Sequence, residues 1–173
     1  MRQNLLFPFS IGVSDGIITA LILASGGIVS MGITPFLALK ISFGSAFAGM
    51  FSFFIADYAG LNEELHRTAR QLNLRSTRYL LRGRLGRDIL LEAFIGTLIS
   101  SFFGFTGALI PLMSSMLVPH NIYIPLLISY AALGLVGYFI SRTTAGSWRF
   151  WIFIMIAIGI IVTIAGSYLK LIS

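Results

Sequence analysis

The chain has no cysteine, two histidines and six acidic residues among its 173 positions. Without cysteine it forms neither a disulfide nor a thiolate site, so a metal ligand must be carboxylate, imidazole, thioether or backbone oxygen. Charge is scarce: 10% of residues are charged, against about 25% in a soluble domain. A nucleophile paired with a base, a metal-hydrolase motif and a phosphate-binding loop are also missing, so the expectation is a protein that is not an enzyme and holds no tightly bound cofactor.

Apolar sequence fills the space instead, at 57% of residues. Five runs approach the roughly 20 residues that cross a hydrocarbon core as helix. The expected fold is an all-α membrane protein, a single transmembrane domain over residues 1–173, with spans near 7–31, 36–60, 89–117, 122–140 and 148–169. A secretory signal is not expected at the start, because Asp15 interrupts the first run and no clear small-x-small cleavage site follows it.

Between the first two spans, Gly32, Thr34 and Pro35 are breakers that predict a turn. In span two Gly44, Ala48, Ser52, Ala56 and Gly60 recur every fourth residue, and in span three Gly96, Ser100, Gly104 and Ala108 do the same. Such stripes predict close helix packing. Residues 61–72, with apolar positions at 61, 65, 69 and 72, extend span two as an amphipathic helix. Residues 73–88 read as a broken, basic surface helix, completing a helical loop at 61–88. Pro111, inside span three, removes a backbone donor and predicts a kink that shapes the outer half of any path. Trp148, Trp151 and Tyr168 mark the interfaces of the last span.

The net charge is +6, and seven arginines fall between Arg67 and Arg87. Basic residues flanking membrane spans are a topology signal and a contact for anionic headgroups, so a lipid partner is expected at this loop and nucleic acid is not. An N-inside, C-outside orientation puts ten basic residues inside (Arg2, seven in the loop, Arg142, Arg149) and leaves Lys40 and Lys170 outside. The short chain points to a prokaryotic plasma membrane.

With that topology all six acidic residues fall toward the inner side. Asp15 lies about two turns into span one, and a charge that deep costs at least about 2.5 kcal/mol on the insertion scale. Asp57 precedes the inner end of span two, Glu63 and Glu64 follow on its extension, and Asp88 and Glu92 open span three. Carboxylates gathered at the mouth of a helix bundle suit a hard or borderline divalent cation, and a carboxylate that releases its cation can take up a proton instead. Each of Glu63, Glu64, Asp88 and Glu92 is equally compatible with pairing to a loop arginine. His120 reads as a solvated loop residue, and Met50, Met113 and Met116 as packing.

Three segments, SDGIITALILASG from Ser14, AGMFSFFIADYAG from Ala48 and GALIPL from Gly107, together resemble the vacuolar iron transporter family. The resemblance spans most of the chain and extends to five spans, an intervening cytoplasmic loop and a glycine-rich final span. It implies a homodimeric, proton-coupled exporter of Fe(II), or in some members Mn(II), with first spans lining a shared pathway. The family's membrane aspartate maps onto Asp15, and the Glu of its Ser-Met-x-x-Gly-Glu-Tyr run onto Asp57. This chain departs from the pattern at Phe53 in place of Met, Ala56 in place of Gly and Asp57 in place of Glu. The family's glutamate-rich cytoplasmic domain is reduced to the arginine-rich 61–88 stretch, whose positive field repels cations.

The expectation is therefore a proton-coupled exporter of Fe(II) or Mn(II). Asp15 binds the ion, Asp57 shares it or takes the proton, and Glu63, Glu64 and Glu92 form an inner relay. Two alternatives stand beside it: a diverged transporter of another cation, and a non-transporting membrane protein whose basic loop binds anionic lipid or a partner.

Overall fold

The structure is a computed structural model that describes residues 5–25, 34–71, 84–118, 121, 123–144 and 146–172. All regular structure among them is helical. The helices are α1 (Leu6–Leu23), α2 (Pro35–Gln71), α3 (Arg84–Leu117), α4 (Tyr123–Thr143) and α5 (Trp148–Ile172). Each is long and apolar enough to cross a membrane. A helix bonds every backbone group within its own segment, the requirement that hydrocarbon imposes.

The chain is thus a multi-pass, all-α membrane protein. The end of the expected first span and Gly32 lie outside the described residues, as do 72–83 of the basic loop and His120. α2 continues without a break from its span to Gln71, as the 61–72 periodicity predicts. Its 37 residues measure about 55 Å at 1.5 Å per residue, well beyond a core of about 30 Å. α3 begins at Arg84, five residues before the expected start of the span at Ile89, so the end of the expected helical loop is continuous with the span. α4 and α5 also run slightly past their expected ends.

The start of α2 is set locally. Thr34 Oγ1 accepts from the Leu37 amide at 3.3 Å, and Pro35 follows at the first helical position, where a missing N–H costs nothing. Hydroxyls inside the spans are mostly satisfied within their own helix, as with Ser10 Oγ donating to Leu6 O at 2.7 Å and Thr97 Oγ1 to Ala93 O at 2.7 Å. Ser42 differs: it is buried and its Oγ has no hydrogen-bond partner among the described residues.

α1 and α2 each pack along α3, while α5 packs on α4 and both bear on α1. Ile17 and Leu21 of α1 meet Leu133 and Val136 of α4 in one core cluster, and Ala20, Ala38, Ala108 and Leu112 form another. The α1–α3 crossing is closest where Gly12 abuts the Ser100 carbonyl and Gly16 that of Gly104; a Cβ at either would overlap main chain. Gly12 and Gly16 are a GxxxG pair, the spacing that lets two membrane helices touch backbones.

Candidate functional site

Because α1 and α2 both brace on α3 and touch each other little, an open groove of about 920 Å³ lies between them. Three of the carboxylates expected at an ion site line it: Asp15 from α1, and Asp57 and Glu64 from α2. Ser14, Thr19, Ser45, Ser52 and Ser100 add hydroxyls, and among the described residues no sulfur or imidazole reaches the groove. An all-oxygen donor set suits hard and borderline cations over soft ones. Ser14 Oγ donates its proton to Ile11 O at 3.0 Å, which leaves its lone pairs to face a cation.

The carboxylates stand at successive depths. Asp15 is level with Gly49, where a built Cβ would lie 2.7 Å from Asp15 Oδ2. Asp57 follows Gly49 by eight residues and Glu64 follows Asp57 by seven, steps of about 12 and 10 Å along the helix. Ligand bonds to divalent ions are about 2.0 to 2.6 Å, so Asp15 and Asp57 do not hold one ion at once. The expectation of a shared ion gives way to separate stations along one groove. Among the described residues no three His, Asp or Glu side chains stand close enough to hold one ion.

Glu92 and Glu63 fall elsewhere. Glu92 lines a second cavity of about 420 Å³ with Pro8, Gly96, Thr143 and Thr144, and Asp57 also faces it. Asp57, with Phe7 and Leu61, lines both cavities and forms part of the wall between them. Glu63 accepts from Arg67 at 2.7 Å, one helical turn on, and both side chains are exposed. That is the one ion pair among the described residues, and it lies on the solvated face of α2 where such pairs contribute little. Asp15 and Asp57 have no basic partner among the described residues. Arg67, Arg70 and Arg87 are exposed, whereas Arg75, Arg78 and Arg82 lie outside the described residues.

The two small-residue stripes part company. On α3, Gly96, Gly104 and Ala108 pack against α1 and α2, as expected. On α2, a Cβ at Gly44 or Gly60 would meet nothing within 4 Å, and Ala48, Ser52 and Gly60 line the groove. Among the described residues the expected packing of the α2 stripe is absent at Gly44 and Gly60, because α1 leans on α3 instead. Pro111 is fully buried and lines neither cavity, so it does not shape this path.

Gly49, Ser14, Thr19 and Ser45 went unnoticed in the sequence. The spacing of Ser45, Gly49, Ser52 and Ala56, a small and polar helix face, carried the signal for the α2 wall. Compared with family models, curated proteins and solved structures, the chain matches none.

Proposed function

We propose that this protein is a homodimeric secondary transporter that exports a divalent transition metal, Fe(II) or Mn(II), from the cytoplasm in exchange for protons. The observation that carries this is the groove: a carboxylate near the middle of α1 opens into a passage whose polar lining is entirely oxygen. A membrane carboxylate is rarely retained without a task. Glu64 at one end, Asp57 and then Asp15 offer a cation successive stations. A carboxylate occupied by either a cation or a proton, never both, couples the two flows.

The resemblance of the Ser14, Ala48 and Gly107 segments to vacuolar iron transporters supports the same function. So does the oxygen donor set, which matches Mn(II) and Fe(II) in hardness. A second copy would cover the open side of the groove, where the α2 stripe lies exposed beside Phe43, Phe47 and Phe51. The basic segments would face anionic lipid in the cytoplasmic leaflet, with the N-terminus inside and the C-terminus outside, in a prokaryotic plasma membrane.

The test is Fe(II) and Mn(II) flux into proteoliposomes with and without an imposed pH gradient, comparing wild type with Asp15→Asn. Flux that follows the gradient and is lost in the variant is expected. Absence of flux of either metal with correctly folded wild type would sink the metal assignment.

A further inference from the structure

The groove runs along α1 and α2 on both sides of Asp15. Toward one end it is lined by Ile18, Thr19 and Ser45, and toward the other by Ile11, Phe53 and Asp57. Between them the Asp15 carboxylate reaches from α1 to α2 and lies against Gly49. A Cβ built on Gly49 would have Asp15 Oδ2 at 2.7 Å and, apart from Asp15 Cγ at 3.9 Å, no other contact within 4 Å. Gly49 itself lines the groove, and among the described residues a side chain added there would meet Asp15 alone. α1 and α2 otherwise touch little, meeting near Ala20 and Ala38, and each is braced on α3.

We infer that Gly49 is a positioning residue for Asp15: its missing side chain lets the carboxylate close across the groove against the α2 backbone, where it intercepts a divalent cation passing between the two halves. This inference deepens the transport function proposed above and rests on it. Any side chain at 49 occupies the space of the carboxylate. The carboxylate is the free end of a side chain, so it yields by swinging off α2, and the helices need not move. The cation then meets Asp15 displaced from the α2 backbone.

The contrast with Gly12 and Gly16 separates positioning from packing. Those two glycines abut main-chain carbonyls of α3 that cannot move independently. Alanine there disturbs the helix crossing, whereas alanine at 49 disturbs only where a carboxylate lies.

The experiment measures Mn(II) binding to the purified full chain in detergent, by electron paramagnetic resonance of the free ion, for wild type, Gly49→Ala, Asp15→Asn and the double variant, with a thermal melt of each. The expected result is weaker Mn(II) binding by Gly49→Ala with an unchanged melt, and a double variant that binds no more weakly than Asp15→Asn alone. Such non-additivity is the signature of one residue acting through another. Wild-type affinity in Gly49→Ala, or additive losses in the double variant, overturns the inference. Loss of the fold in Gly49→Ala overturns it as well, because residue 49 would then be packing against more than Asp15. Wild type that binds no Mn(II), or Asp15→Asn that binds it undiminished, overturns the proposed function itself.

Discussion

Asp57 on α2 and Gly96 on α3 face each other across the wall between the two cavities. A Cβ on Gly96 would lie 3.3 Å from Asp57 Oδ2, 3.2 Å from Phe53 Cε1 and 3.6 Å from Pro8 Cγ. All three neighbours are side-chain atoms that can give by a few tenths of an ångström. Gly96→Ala should therefore fold with a cost on the order of 1 kcal/mol or less, while shifting Asp57 and slowing Mn(II) flux. Flux at the wild-type level in a folded Gly96→Ala protein would remove Asp57 from the path.

Gly16→Ala should be far costlier to the fold. Its Cβ would overlap the Gly104 carbonyl and approach the Ala108 amide nitrogen at 2.8 Å, so α1 must lift off α3. Overpacking of this kind costs about 1 to 3 kcal/mol. Gly44→Ala and Gly60→Ala, where a Cβ meets nothing among the described residues, should instead stabilise the isolated chain by up to about 1 kcal/mol, because alanine costs less backbone entropy in a helix. Reversible unfolding in mixed micelles ranks the three; equal stabilities would contradict the packing described for α1 and α3.

Ser42→Ala should leave the protein as stable or stabilise it by up to about 1 kcal/mol, since the buried Oγ has no partner among the described residues and an uncompensated desolvation is costly. A lower melting temperature in this variant would reveal a hydrogen bond that stabilises the native state.

The absence of cysteine makes single-cysteine labelling direct. Ser52→Cys, in the groove, should react with a membrane-impermeant charged thiol reagent in proteoliposomes, and Mn(II) should slow the reaction. Ile161→Cys, exposed on α5 and away from both cavities, should resist it, because thiolate formation needs water. Equal labelling at both positions would mean that the groove is no more hydrated than the outer surface of the bundle.

Much of the architecture was legible before any helix was placed beside another. Five apolar runs of spanning length became five helices, the pattern at 61, 65, 69 and 72 ran on in helix to Gln71, and Thr34 with Pro35 marked the start of α2. The early start of α3 was harder to read, since Arg84, Arg87 and Asp88 break the apolar run without breaking the helix. At the site, Asp15 and Asp57 were legible as carboxylates inside spans, where hydrocarbon makes charge costly, and Glu64 as a carboxylate on the same inner side. Glu92 and Glu63 were grouped with them because the topology put every acid on that side, yet one faces a different cavity and the other pairs with Arg67.

The physical division follows from range. A span, a cap or an amphipathic face is decided by groups within a few turns of one another, because backbone hydrogen bonds in hydrocarbon must close inside the segment. Those features belong to the sequence by itself. Whether a small-residue face receives a helix or borders a cavity depends on which helix its neighbour prefers. Here Gly12 and Gly16 carried α1 onto α3, and the α2 stripe was left to line the groove. Only the tertiary packing decided that, and with it the place where Asp15 meets Gly49.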